Sequence, residues 1–68
     1  MRYTEFRDLI REELSRNPNG RTWPELRERL ALPYDRPCPS WVRRLETDIG
    51  LDRKKGAGRA LTWTVRHV

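Results

Sequence analysis

The hydrophobic pattern of the chain changes its period at Gly50. Before this glycine, apolar residues recur every three or four positions, the spacing of helices with one buried face. After it, residues 61–65 alternate between apolar and hydroxyl side chains, the spacing of a strand. The sequence therefore predicts an α+β fold, in which a three-helix bundle is followed by a C-terminal β-hairpin.

The length of 68 residues fits a single domain, residues 1–68, with one modest core. No run approaches the ~20 apolar residues of a membrane span, and no signal-peptide pattern is present. Cys38 is the only cysteine, which fits a reducing compartment. We expect a cytoplasmic protein that is not associated with a membrane.

Catalytic chemistry has little support in the sequence. Cys38 has only one histidine to pair with, His67, which lies next to the C-terminus. The acids are scattered among basic neighbours, with no metal-ligand or triad spacing. We therefore expect no enzymatic activity and no cofactor.

The first two helices have clear patterns. Residues 4–16 predict a helix with Thr4 as its N-cap, and its apolar stripe consists of Phe6, Leu9, Ile10 and Leu14. Residues 17–20 (NPNG) are a dense turn signal. A short extended piece is predicted at residues 21–22. The second helix then begins with a capping box between Thr22 and Glu25 and ends around residues 31–33. The proline-containing residues 34–39 then lead to a third helix.

The third helix is predicted over residues 40–49. Pro37 and Pro39 stiffen its entry, and Gly50 ends it by taking the left-handed conformation of a C-terminal cap. Val42, Leu45 and Ile49 share its apolar stripe, with Trp41 at the edge. Four polar side chains converge on the other side, which we call the outward face: Ser40, Arg43, Arg44 and Thr47.

The positive charge of the chain is concentrated in the half that carries this helix. Residues 1–36 hold eight arginines against seven acids, whereas residues 37–68 hold seven arginines and lysines against three acids. Three of these cations, Lys54, Lys55 and Arg59, flank the glycine-containing loop of the hairpin. Like charges gathered at a hairpin tip repel one another unless something anionic lies there. The net charge of +5 suits a polyanionic partner.

Three helices followed by a basic-tipped hairpin, in this order, resemble the winged helix-turn-helix family, over about residues 4–65. The most specific part is residues 41–54 (WVRRLETDIGLDRK) with residues 56–62 (GAGRALT), which look like the recognition helix, wing and returning strand of prokaryotic regulators. Residues 22–26 (TWPEL) look like the opening of their second helix. Such regulators often dimerise through extra helices that are absent from this pattern, so we expect a monomer or weak dimer.

The resemblance implies binding of double-stranded DNA, with the third helix in the major groove and the hairpin on the backbone or in the minor groove. Arg43 or Arg44 would form two hydrogen bonds to a guanine, and Ser40 and Thr47 would contact a phosphate or a base. The hairpin would neutralise phosphates, with Arg59 as the groove-inserting side chain. The predicted DNA-binding residues are Ser40, Arg43, Arg44, Thr47, Lys54, Lys55 and Arg59.

Several alternatives remain open at this point. The outward face could be merely solvated, and Arg44 could pair with Asp48 at i+4. The same surfaces could dock an acidic protein partner, while RNA binding lacks the exposed aromatic pair that single-strand readers use. We expect the three tryptophans to be core residues and Cys38 to be a small buried side chain.

Overall fold

The computed structural model of the chain describes residues 1–56, 58 and 60–66. The predicted α+β class is confirmed, with three helices and a small antiparallel sheet. The predicted Arg59 and His67 lie outside the described residues. In chain order, the elements are α1 (Tyr3–Arg16), β1 (Arg21–Thr22), α2 (Trp23–Arg29), α3 (Pro39–Asp48), β2 (Leu51–Lys55) and β3 (Leu61–Val65).

The start of α1 differs from the prediction. The helix begins at Tyr3 with Arg2 as its N-cap, and no side chain caps it, so the prediction of Thr4 as N-cap is wrong. The first helical bond runs from the Phe6 amide to the Arg2 carbonyl, at 3.1 Å. Tyr3 is itself buried against α3, so the tertiary contact of an aromatic side chain outweighs the local preference for a hydroxyl cap.

The capping box of α2 is confirmed. The Thr22 hydroxyl accepts a bond from the Glu25 amide at 3.4 Å, and the Glu25 carboxylate accepts one from the Thr22 amide at 2.9 Å. At the other end, Ala31 takes a positive φ of 51°. The Leu32 amide then bonds to the Arg27 carbonyl at 2.9 Å, the 6→1 bond of a Schellman cap. The left-handed position of such a cap usually carries glycine. Because Ala31 occupies it here, the sequence does not indicate that α2 ends at Arg29.

Residues 30–38 separate α2 from α3, a longer connection than the residues 34–39 that the pattern predicts, because α2 stops early. The indole nitrogen of Trp23 donates to the Asp35 carbonyl at 2.9 Å and holds this connection against α2. Pro39 occupies the first turn of α3, where its missing amide costs nothing. Gly50 has a φ of 67°, which confirms its left-handed conformation after the helix.

The predicted hairpin is confirmed as the pairing of β2 with β3, in a register that sets Arg53 opposite Trp63. It is not an isolated hairpin, however. The short β1 pairs with the other side of β3, which gives a three-stranded sheet in the order β1-β3-β2. The predicted extended piece at residues 21–22 is therefore a sheet strand. β2 lies at an edge of the sheet, with one side of its backbone unpaired by any described strand.

One hydrophobic core joins the helices to the inner face of the sheet. The predicted apolar stripes supply most of it, and Trp63 of β3 is 2% exposed at its centre. Leu9, Leu30, Trp41 and Ile49 are only partly buried at its margin. The buried residues are Tyr3, Phe6, Ile10, Leu14, Trp23, Leu26, Leu32, Val42, Leu45, Leu51 and Trp63.

Candidate nucleic-acid interface

The outward face of α3 is free of protein contacts that would bury it. Val42 and Leu45 turn into the core, so the positions about half a turn away face solvent. All four predicted residues of this face are exposed: Ser40, Arg43, Arg44 and Thr47. Around the helix, the face therefore presents two hydroxyls with one guanidinium group on each side of them.

The arginines fall into two groups according to their partners. Every arginine of α1, β1 and α2 has a carboxylate beside it. Glu13 in particular receives both Arg21 and Arg29, and its carboxylate is mostly buried. The pairs and their N–O distances are Arg7–Asp8 3.0 Å, Arg11–Asp8 3.6 Å, Arg16–Glu12 2.6 Å, Arg21–Glu13 3.3 Å, Arg27–Asp35 3.2 Å and Arg29–Glu13 2.9 Å.

Arg43 and Arg44 of α3 and Arg53 of β2 behave differently. None of the three forms an ion pair within the described part of the chain. Arg2, Arg36 and Arg66, which lie outside the helices and strands, also have no ion pair among the described residues. Among the arginines of the three helices, those without a carboxylate partner are on α3.

Arg44 has an aromatic partner in place of an acid. Its guanidinium carbon lies 3.9 Å from the centroid of the Tyr3 ring, close enough for a cation–π contact. The alternative pairing of Arg44 with Asp48 is absent among the described residues. Asp48 instead accepts a hydrogen bond from the Tyr3 hydroxyl at 2.8 Å. Tyr3 therefore binds two side chains on successive turns of α3, which no local pattern predicts.

The pKa of Tyr3 is raised to about 12, first by burial, then by the hydrogen bond to Asp48 and the negative charge of that carboxylate, while Arg44 acts in the opposite direction. A tyrosine in the unfolded chain titrates near ~10. A raised folded pKa contributes stability that is fully present below pH ~10 and is lost as the pH rises towards about 12.

We therefore expect the free energy of unfolding to fall more steeply between pH ~10 and ~12 in the wild type than in Tyr3→Phe, which has no phenol to titrate at this position. Urea denaturation at several pH values measures both slopes, and the two proteins differ only in this hydroxyl. Equal slopes in the two proteins would contradict the raised pKa of Tyr3.

The entrance to α3 corrects one prediction. Cys38 is not buried: it is the exposed N-cap residue of the helix, with its sulfur 3.2 Å from the Ser40 hydroxyl. That hydroxyl, followed by the amides of Trp41 and Ser40, lowers the pKa of the Cys38 thiol. The residue is exposed because the prolines on either side hold the chain extended on the surface just before the helix begins.

The hairpin places its cations on both faces of the sheet. Lys54 and Lys55 are exposed, as predicted, but consecutive strand residues point to opposite faces. Lys54 lies 3.7 Å from Asp52 on the same face, while Lys55 shares the other face with Arg53. Arg53, which was not among the predicted residues, is an exposed cation whose guanidinium carbon lies 5.7 Å from the centroid of the Trp63 ring. The signal available in the sequence was its place in the run of three cations at residues 53–55.

The outward face of α3 and the cations of β2 are on elements that follow one another in the chain and contact each other. β2 follows α3 directly through Gly50, and the two elements pack against each other.

An apolar cavity of about 270 Å³ lies elsewhere, between α1 and the connection before α3, and includes none of the predicted DNA-binding residues. Among the described residues, no helix is long and apolar enough to cross a membrane, and no three acidic, histidine or cysteine side chains group as metal ligands would.

Comparison of the chain with protein-family models, with curated proteins and with solved structures finds no match.

Proposed function

We propose that this protein is a winged-helix domain that binds double-stranded DNA through α3 and the β2–β3 hairpin. The order of elements supports this assignment, because three helices precede a hairpin whose first strand packs on the third helix. The observation that carries the proposal is the distribution of paired and unpaired arginines. The arginines of α1, β1 and α2 have carboxylate partners, while the two on the exposed face of α3 have none among the described residues.

The chemistry of this surface matches a duplex. An α-helix fits the major groove, where exposed side chains reach base edges, and arginine can donate two hydrogen bonds to one guanine. Ser40 and Thr47 lie between the two arginines and are short enough to let the helix approach the groove floor or a phosphate. Lys54, Lys55 and Arg53 would contact the backbone and release counterions, which supplies affinity without sequence information.

The proposal predicts that the double variant Arg43→Ala/Arg44→Ala binds duplex DNA about 30-fold more weakly at moderate salt, since two contacts to bases or phosphates are lost, worth about 2 kcal/mol together. Fluorescence anisotropy with a labelled random duplex measures this. Because both side chains are exposed, the melting temperature of the variant should stay close to that of the wild type.

A matched control keeps the change in charge constant. Arg11→Ala/Arg16→Ala removes the same two charges from α1, where both arginines are paired and exposed. It should bind about as well as the wild type. Equal losses in the two double variants would mean that net charge, and not α3, determines binding.

A salt titration separates DNA binding from docking of an acidic protein. The affinity for a random duplex should fall log-linearly with salt concentration, with a slope of about −0.9 for each phosphate neutralised. Lys54→Ala/Lys55→Ala should reduce that slope by about 2. No binding to duplex at low salt would contradict the proposal and leave the acidic partner as the remaining use of this surface.

A further inference from the structure

The first residue of α1 contacts α3 along almost its whole length. Tyr3 packs edge-on against Trp41, with ring centroids 5.7 Å apart, lies beneath the guanidinium of Arg44 at 3.9 Å, and donates its hydroxyl hydrogen to Asp48 at 2.8 Å. These three partners are spaced by three and four positions, so they form one stripe on α3. Tyr3 is 7% exposed, and the bond to Asp48 fixes the rotation of its ring.

The contact with Arg44 orders a guanidinium without using its hydrogen-bonding capacity. A ring stacked on the flat face of a guanidinium leaves the in-plane N–H groups free, and arginine carries five of them. No hydrogen bond or ion pair to Arg44 occurs within the described part of the chain. The long side chain is thus held in place while its donors remain available to a ligand.

Arg43 and Arg44 are therefore not equivalent. Each residue of a helix turns about 100° around the axis, which sets the two arginines on opposite flanks of the outward face. Arg44 is on the flank next to α1, over Tyr3. Arg43 is on the other flank, with neither an aromatic ring nor an acid beside it among the described residues. One guanidinium is positioned and the other is free to adapt.

We propose that Tyr3 is a positioning residue that presents Arg44 to the edge of a guanine, so that Arg44 carries sequence preference while Arg43 contacts phosphate. The inference rests on the proposed DNA-binding function and adds to it the base that is read and the residue that reads it. A fork of two parallel donors matches the O6 and N7 acceptors of guanine in the major groove. A guanidinium already held in one plane loses less conformational freedom when it makes that pair.

The test is selection of bound duplexes from a randomised library, performed with the wild type and with Arg43→Ala, Arg44→Ala, Tyr3→Phe and Tyr3→Leu. We expect the wild-type sites to share a guanine whose replacement weakens binding about tenfold or more. Arg44→Ala and Tyr3→Leu should lose that preference. Arg43→Ala should keep it with lower overall affinity, and Tyr3→Phe, which retains the ring, should keep it as well.

The outcomes separate the two proposals. Failure of the wild type to bind any duplex of the library would overturn the DNA-binding function, whereas binding without a shared guanine would leave that function intact and overturn the inference. A guanine preference that survives Arg44→Ala, or disappears only in Arg43→Ala, would leave DNA binding intact and overturn the inference. A preference lost in Arg44→Ala but retained in a folded Tyr3→Leu would show that Arg44 reads the base without help from Tyr3.

A measurement on the unmodified protein covers the case in which Tyr3→Leu does not fold. Relaxation of the arginine side-chain Nε–H groups by NMR reports how restricted each guanidinium is on the ps–ns timescale. In the free protein, the order parameter of Arg44 should exceed that of Arg43. Equal values would overturn the positioning role.

Discussion

Trp63→Ala is expected to lower the free energy of unfolding by about 3–5 kcal/mol, a large part of the stability of the domain. Trp63 is 2% exposed and is the largest of the fully buried side chains. It packs against Trp23 with ring centroids 5.4 Å apart and joins the sheet to the helices. Truncation of a buried tryptophan costs about 3–5 kcal/mol, whereas a domain of 68 residues has a total stability of about 3–10 kcal/mol.

Urea denaturation followed by far-UV circular dichroism measures this loss. Leu61→Ala is the control from the same strand, because Leu61 is 38% exposed and its truncation should cost about 1 kcal/mol or less. A Trp63→Ala protein that unfolds at nearly the wild-type urea concentration would show that Trp63 of β3 does not pack in the core.

Gly20→Ala is expected to destabilise the domain by about 2–4 kcal/mol, although it adds only one methyl group. Gly20 has a φ of 88°, where a side chain strains the backbone. The added carbon would also stand 2.7 Å from the carbonyl oxygen of Trp63, 2.6 Å from the Thr62 methyl and 2.8 Å from the Thr64 methyl. The chain cannot relieve these overlaps without moving β1 away from β3.

Gly58→Ala is the matched control, because no atom lies within 4 Å of the carbon that it would add. Its effect on the free energy of unfolding should stay within about 0.5 kcal/mol. Chemical denaturation of the two variants in parallel gives the comparison. Similar stabilities would mean that Gly20 does not lie against β3 in solution, and that the third strand of the sheet is not formed.

The features that the sequence predicted correctly are those with a local cause. The capping box of Thr22 and Glu25 involves residues three positions apart, and the left-handed Gly50 follows from its lack of a side chain. The inward positions of α1 and α3 follow from helical periodicity, and the hairpin follows from alternation around a glycine-containing loop. In each case a few adjacent residues determine the conformation.

The features that were missed depend on contacts between distant parts of the chain. The pairing of β1 with β3 joins residues 21–22 to residues 62–63, and two residues are too short for an alternating pattern. The bond from Tyr3 to Asp48 spans 45 positions, and it explains why α1 begins earlier than its capping pattern predicted. The left-handed Ala31 was also missed, since alanine rarely takes that conformation.

The candidate interface was predictable in its location but not in its details. Helical geometry alone placed Arg43 and Arg44 on the outward face, and the structure exposes both. The position of α1 was needed to show that Arg44 lies on an aromatic ring while Arg43 has no such contact. Arg53 was not predicted, because the prediction was confined to the cations that flank the glycine-containing loop, whereas Arg53 lies within β2 opposite Trp63.

The unpaired side of β2 has a consequence for how this protein behaves at high concentration. An open strand is a template on which a second copy can add its own strand, and such addition leads to aggregates. Residues 53–55 form an unbroken run of cationic side chains on this strand, so two copies brought edge to edge would bring like charges together. The lysines proposed to contact DNA would thus also keep the molecules apart in its absence.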